Sequence, residues 1–136
     1  MEASLRELIV LRSAGCCEYC RIPQRYFTEL FQIEHIVARQ HRGQTVESNL
    51  ALACARCNRY KGPNLAGLDP LTNELVRLFN PRTDIWTDHF QEDATGEIRG
   101  TSAIGRTTVY VMHMNSPRRI ELRSAITKLG VPKLKA

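Results

Sequence analysis

Hydrophobic residues occupy one face of residues 3–13 at helical spacing, with Ser4 as a candidate N-cap and Gly15 as a stop. This pattern predicts an amphipathic helix. Residues 30–37 are instead rich in β-branched and aromatic side chains, which favours a strand. The polar stretch over 40–49 predicts a loop after that strand.

A second apolar run, residues 50–53, predicts another short strand. Residues 55–60 then begin a helix that Gly62 and Pro63 must end, because proline lacks the N–H group that a helix interior needs. Residues 30–62 therefore predict the order strand, loop, strand, helix.

The pattern is more mixed further along the chain. Residues 64–72 are rich in turn formers, whereas residues 85–90 and 97–99 predict strands joined through Thr95 and Gly96. The aromatic residues of the first of these strands are expected in the core rather than as platforms for base stacking. They are Trp86 and Phe90.

Residues 102–114 carry two competing signals. The run from Thr107 to Val111 favours a strand by propensity, but Ile104, Thr108 and Met112 share one helical face, so we expect a helix. A last helix is predicted more clearly from its ends. Ser116 is its N-cap, Pro117 its first residue and Gly130 its stop.

These elements predict an α+β protein. A chain of 136 residues with 43% hydrophobic content has about one domain's length and can bury a modest core. We therefore expect residues 1–136 to form a single domain. Within it, residues 1–33 form the N-terminal helix and first cysteine pair, 34–62 the central motif, and 63–136 a C-terminal α/β extension.

The apolar segments are too short for export or membrane insertion. The first 15 residues lack the apolar core of a signal peptide, and no window reaches the roughly 18 apolar residues of a membrane span. The sequence therefore predicts a soluble, cytoplasmic protein with no membrane partner.

Positive charge is unevenly distributed along the chain. The net charge is +5, with +3 in residues 34–61, −4 in 62–100 and +6 in 101–136. Basic charge in the central motif and the tail is compatible with a polyanionic partner such as nucleic acid.

Four of the five cysteines form two pairs with zinc-knuckle spacing. The pairs are Cys17-x2-Cys20 and Cys54-x2-Cys57. In a reducing compartment such pairs favour a metal site over disulfides, and four thiolates suit a structural Zn²⁺ with no open position. Cys16-x3-Cys20 is an alternative pair, and iron on the same four thiolates is an alternative metal.

Polar residues around the second pair complete a recognisable pattern. Glu34-His35, Asn49-Leu50 and Cys54-x2-Cys57-Asn58 with Lys61-Gly62 resemble the HNH endonuclease family in its variant with asparagine at the third position. Segments after Gly62, such as FNPR and WTDHF, resemble the extension of many small bacterial HNH proteins. The resemblance implies a ββα-metal fold, one catalytic divalent ion, and products with 5′-phosphate and 3′-hydroxyl ends.

The chemistry of these residues supports the same roles. Phosphodiester hydrolysis needs an activated water and a cation facing the phosphate. His35 is the candidate general base, because imidazole accepts a proton near neutral pH. Glu34 and Asn58 are candidate oxygen ligands for Mg²⁺ or Mn²⁺, which retain several waters. Asn49 is expected to hydrogen-bond near His35 and hold its ring.

Basic residues beside Asn58 are candidates for contact with the phosphate backbone of DNA. They are Arg56, Arg59 and Lys61, of which Lys61 also matches the family motif. Basic residues further on extend this set by charge alone. They are Arg106, Arg118, Arg119 and Arg123.

The sequence thus predicts a metal-dependent endonuclease acting on DNA, with no small-molecule cofactor. The main alternative is a zinc-stabilised nucleic-acid-binding module that does not cut. A structural adaptor that uses the zinc knuckles for protein contacts would leave Glu34, His35 and Asn49 without a purpose.

Overall fold

The computed structural model describes residues 2–130 of the chain. These residues fold into two compact units. The first contains residues 2–65 and 80–83, and the second contains 66–79 and 84–130. Each unit mixes helices with short antiparallel strand pairs, so the α+β class predicted from the sequence is confirmed.

The first unit has two helices and one hairpin. They are α1 (Ala3–Arg12), β1 (Gln32–His35), β2 (Leu50–Ala53) and α2 (Ala55–Lys61). Strands β1 and β2 pair antiparallel with Glu34 opposite Ala51 and His35 opposite Leu50. The predicted order of strand, loop, strand and helix is confirmed, and the loop contains two single 3-10 turns, Arg39–His41 and Glu47–Asn49.

The core of this unit is built around β2. All four residues of β2 are buried, so this strand reads as a continuous apolar run rather than an alternating one. Helix α1 contributes Ile9, which is fully buried. The predicted N-cap of α1 was wrong by two residues, because Glu2 takes that position and Ser4 lies inside the helix.

The second unit contains two hairpins and three helices. The hairpins are β3 (Ala66–Leu68) with β4 (Leu75–Arg77), and β5 (Phe90–Glu92) with β6 (Ile98–Gly100). The helices are α3 (Trp86–His89), α4 (Ala103–Val111) and α5 (Pro117–Lys128). Trp86 and Phe90 are buried with ring centroids 4.9 Å apart, as expected of core residues.

Two predictions in this unit were wrong. Residues 86–89 form a helical turn instead of a strand, and the strand begins only at Phe90. The turn-rich stretch 64–72 contains β3, which its glycine and proline content concealed. Both errors arise where the elements are only three or four residues long, too short for a period to show.

Residues 103–111 form helix α4, so the helix predicted there is confirmed over the competing strand. The Ser102 hydroxyl caps the helix by accepting a hydrogen bond from Gly105 N–H at 3.0 Å. The hydroxyls of Thr107 and Thr108 donate to the carbonyls of Ala103 and Ile104, at 2.8 and 2.7 Å. Since both buried threonines satisfy their hydroxyls within the helix, their strand propensity is overridden.

Candidate functional site

The four paired cysteines converge at one point of the first unit. The sulfur atoms of Cys17, Cys20, Cys54 and Cys57 all lie within 4.8 Å of one another. The Sγ atoms of Cys20 and Cys54 are 3.8 Å apart. A tetrahedral zinc ion with bonds of about 2.3 Å requires sulfur atoms about 3.8 Å apart, so this cluster fits Zn²⁺. The predicted four-cysteine cluster is confirmed.

Each pair is held by its own backbone turn. In the first pair, Cys17 N–H donates to the Ile22 carbonyl at 3.0 Å and Arg21 N–H donates to the Cys17 carbonyl at 2.9 Å. Arg21 adopts a positive φ of 70°, which closes this turn. In the second pair, Cys54 is the N-cap of α2, and its sulfur accepts from Cys57 N–H at 3.4 Å.

The protein environment disfavours thiolates that have no metal. Burial raises the pKa of Cys17 well above its ordinary value. Hydrogen bonds with the neighbouring thiols do the same to the pKa of Cys57, and burial adds to them. A bound cation would supply the charge that the interior lacks, so binding would release protons.

Cys16 is separate from the cluster. It pairs with Pro23 in an isolated β-bridge, and its thiol contacts the Ala14 carbonyl at 3.7 Å. The alternative pair Cys16-x3-Cys20 is therefore not the arrangement found. Cys16 offers a natural control for experiments on the other four cysteines.

Glu34 is buried beneath α2, with 4% of its surface exposed. Its Oε1 accepts a hydrogen bond from the Tyr19 hydroxyl at 3.0 Å and lies 2.8 Å from the Lys61 ammonium. Its Oε2 is buried and has no hydrogen-bond partner among residues 2–130. Burial raises the pKa of this carboxyl, and the nearby Lys61 opposes that shift.

The structure places Lys61 differently from the sequence prediction. Its side chain is 2% exposed, and Nζ donates to the Ile36 carbonyl at 2.8 Å in addition to its contact with Glu34. An ammonium buried in this way does not meet a phosphate backbone. Lys61, which matches the family motif, thus forms a buried ion pair with Glu34.

Asn58 projects from α2 toward β1. Its Nδ2 donates to Oε1 of Gln32. Gln32 and Glu34 are two residues apart on β1, so their side chains share one face of the strand. The structure therefore brings Asn58 to the strand face that carries Glu34.

His35 belongs to the other face of β1, because successive strand residues point in opposite directions. It is half-buried, and its Nε2 lies 2.9 Å from the hydroxyl of Thr45 in the loop between the strands. Burial lowers the pKa of His35, and the charge of Arg39 adds to this shift. Both effects favour the neutral imidazole that a general base requires.

The side chain of Asn49 forms hydrogen bonds with the backbone of the loop that follows His35. Its Oδ1 accepts from Val37 N–H at 2.9 Å, and its Nδ2 donates to the carbonyls of Val37 and Gln44 at 3.0 and 2.9 Å. These bonds reach the backbone two residues beyond His35. Asn49 therefore contacts the backbone near His35, while Thr45 contacts the imidazole ring.

Arg56 and Arg59 lie on α2 around the ring of Tyr60. Their guanidinium carbons are 5.1 and 5.0 Å from the ring centroid. Arg59 is exposed and Arg56 is half-buried. Together they give α2 an accessible basic surface with an aromatic centre.

Three residues that contact the predicted site residues were not predicted from the sequence. They are Tyr19, Gln32 and Thr45. Gln32 could have been found from its i, i+2 relation to Glu34. The other two contacts join positions 15 and 10 residues apart and depend on how the chain folds back.

Comparison with known proteins agrees with this geometry. The family model for HNH endonuclease matches residues 17–64, which include both cysteine pairs, β1, β2 and α2. This match confirms the resemblance to the HNH endonuclease family that the sequence motif predicted. No curated protein and no solved structure matched the chain. Within residues 2–130, none of the helices has the length and apolar character needed to cross a bilayer.

Proposed function

We propose that this protein is a metal-dependent endonuclease that hydrolyses phosphodiester bonds in DNA. The observation that carries the proposal is the HNH-type segment, in which successive positions of β1 carry a buried carboxylate and a half-buried imidazole on opposite faces of the strand. A zinc ion on the four clustered cysteines, here called the zinc clamp, would fix α2 and the turn of residues 17–20 around that strand. HNH-family proteins act as nucleases, which makes hydrolysis the chemistry to test first.

His35 is proposed as the general base. If its Nε2–H donates to the Thr45 hydroxyl at 2.9 Å, the lone pair of Nδ1 is left to accept a proton from the attacking water. The lowered pKa of His35 favours the unprotonated form of the ring. Asn49 supports the same residue indirectly by holding the Val37 backbone.

Glu34 and Asn58 are proposed to hold the catalytic divalent ion. The buried Oε2 of Glu34 has no hydrogen-bond partner in the described part of the chain, which is an unfavourable state for a carboxylate unless a cation binds it. Oxygen donors from a carboxylate and an amide suit Mg²⁺ or Mn²⁺. When bound, such an ion would polarise the phosphate and stabilise the departing 3′ oxygen.

DNA is the proposed substrate because of the charge around the site. The exposed side chains of Arg39, Arg42 and Arg59 all lie within the +3 segment 34–61. Arg56 and Arg59 on α2 are proposed to contact the phosphate backbone. These contacts would carry no sequence preference of their own.

A plasmid-nicking assay tests the proposal. Zinc-loaded protein should nick supercoiled DNA with Mg²⁺ or Mn²⁺, and excess EDTA should stop it. His35→Ala should lower the rate by about 10²–10⁴-fold, whereas His113→Ala, at an exposed position of the second unit, should not change it. Undiminished nicking by folded His35→Ala would reject His35 as the base.

One observation favours a second candidate, a nucleic-acid-binding module that does not cut. The Lys61 ammonium already neutralises Glu34 at 2.8 Å, as it would in a protein that holds no catalytic ion. That candidate predicts DNA binding without nicking under Mg²⁺, Mn²⁺ or Ni²⁺. It also predicts that Glu34→Ala leaves metal titrations of the zinc-loaded protein unaltered.

A further inference from the structure

Tyr19 links the first cysteine pair to the carboxylate of Glu34. It lies between Cys17 and Cys20 in the chain and is fully buried. Its hydroxyl donates to Glu34 Oε1 at 3.0 Å. Tyr19 belongs to the turn of residues 17–20, here called the zinc turn, which is predicted to bind zinc. It contacts Glu34, which is proposed to bind the catalytic ion.

The two oxygens of Glu34 are in unequal positions. Oε1 receives both the Tyr19 hydroxyl and the Lys61 ammonium, and two donors fill the lone pairs of one carboxylate oxygen. Oε2 is buried and has no hydrogen-bond partner among the described residues. Because both donors approach the same oxygen, they hold Oε1 in place and leave Oε2 without a protein donor.

We propose that Tyr19 is a positioning residue that orients Glu34 so that Oε2 alone binds the catalytic ion, and that it thereby couples the zinc turn to the ion site. This inference rests on the proposed function, since it assumes that Glu34 is an ion ligand. The zinc clamp then does more than hold α2 in place. It also sets the direction of a ligand in the neighbouring site through one hydroxyl group.

Tyr19→Phe removes only that hydroxyl and keeps the buried ring. The four cysteines remain, so the variant should retain one zinc per chain. Groups that orient a metal ligand typically contribute about 10–100-fold to metal affinity. We expect the dissociation constant for Mn²⁺ to rise about tenfold, at the lower end of that range, because Lys61 still contacts Oε1.

The experiment uses full-length, zinc-loaded protein and follows free Mn²⁺ by electron paramagnetic resonance, with plasmid nicking measured across the same Mn²⁺ range. Tyr19→Phe is compared with wild type, with Glu34→Gln, and with Tyr110→Phe, which removes the hydroxyl of an exposed tyrosine. Tyr19→Phe should bind Mn²⁺ more weakly yet nick at the wild-type rate once Mn²⁺ is saturating, with an unchanged KM for DNA. Tyr110→Phe should match wild type throughout.

Three results would overturn the inference in distinguishable ways. If Tyr19→Phe binds Mn²⁺ like wild type while Glu34→Gln does not, Tyr19 has only a packing role and the proposed nuclease is unaffected. If saturating Mn²⁺ fails to restore nicking by Tyr19→Phe, its hydroxyl supports the fold rather than the ligand. If Glu34→Gln binds Mn²⁺ as wild type does, Glu34 is no ligand, and the proposed ion site fails together with the coupling.

Discussion

The hydroxyl of Thr45 contacts the ring of His35, the base of the proposed reaction. It lies 2.9 Å from Nε2. Thr45→Val keeps the shape of the side chain but removes this contact, so the ring loses the hydrogen bond that orients it. We expect nicking to slow roughly tenfold, a fraction of what a general base contributes.

The rate of nicking at saturating Mn²⁺ measures this effect. Thr45→Ser retains the hydroxyl and should keep the wild-type rate, and Thr28→Val is a control at another threonine of the first unit. Equal rates for Thr45→Val and wild type would show that the contact does not serve catalysis.

The buried ion pair of Lys61 and Glu34 predicts a stability effect rather than a binding effect. The two side chains are 2% and 3% exposed, so removing the ammonium leaves an uncompensated buried carboxylate. Lys61→Met should lower the free energy of unfolding by about 3–5 kcal/mol. Urea denaturation of the zinc-loaded protein measures it, with the exposed Lys128→Met as control. Unchanged stability combined with weaker DNA binding would restore Lys61 to a phosphate contact.

Residue identity and spacing were enough to predict the cysteine cluster but not the environment of each site residue. A Cys-x2-Cys pair closes within one turn, so its geometry is local. Lys61 follows Asn58 by three residues on α2, but which side of that helix packs against β1 depends on tertiary structure. The partners Tyr19 and Thr45 were unpredictable for the same reason.

At the scale of elements, the first turn of α2 lies at the cysteine cluster. Cys54 caps the helix and belongs to the cluster, and Cys57 follows three residues later. Structural zinc contributes about 10–16 kcal/mol in small zinc-binding peptides, which is as large as the whole stability of a domain. Cys57→Ser should therefore lose stoichiometric zinc and the cooperative melt of the first unit.

Cys16→Ser is the matched control, because Cys16 is buried in the same unit but lies outside the cluster. It should keep one zinc per chain and a melting temperature close to that of wild type. Zinc content by mass spectrometry and melting by circular dichroism measure both variants. Zinc retained by Cys57→Ser, with an unchanged melt, would contradict the structural role of the metal.

The turn between β3 and β4 is joined to α4 by an ion pair with a predictable pH dependence. Arg106 donates to both oxygens of Asp69, at 3.1 and 2.8 Å. These bonds lower the pKa of Asp69 from 3.8 to about 2. Because the folded-state pKa is depressed, the contribution of Asp69 is fully present above pH 3.8 and is lost as pH falls toward about 2.

Asp69→Asn should remove this contribution, so wild type and variant should differ in stability at pH 5 and converge toward pH 2. Trp86 is the only tryptophan and lies in the second unit, so its fluorescence reports that unit during urea unfolding. Asp88→Asn on α3 is the control. A constant difference between wild type and Asp69→Asn across this pH range would contradict the assignment.

Long, well-bounded elements could be predicted, and short ones could not. Proline and glycine mark the ends of α5, and the face shared by Ile104 and Thr108 indicated α4 correctly. The four residues of α3 have strand-like aromatic content, yet they form one helical turn before β5. Over so few residues, contacts with the rest of the fold outweigh propensity.

For the whole molecule, the proposed binding of DNA by a chain of net charge +5 should weaken steeply as the salt concentration rises. Each phosphate contact contributes about −0.9 to the slope of log affinity against log salt. Arg59→Ala should weaken binding equally across DNA sequences and reduce that slope by about 1. Fluorescence anisotropy at several salt concentrations measures the slope.

Arg99→Ala is the control, because it removes an exposed charge from β6. It should leave the slope unchanged. An equal effect of both variants would argue against a contact specific to α2.

All four clustered sulfur atoms belong to residues that are at most 2% exposed. A chelator or an incoming ion has no direct approach to them while the fold is closed. A zinc ion held there, as proposed, would leave only when the first unit opens locally. The rate at which the protein loses zinc would therefore measure how often that unit opens.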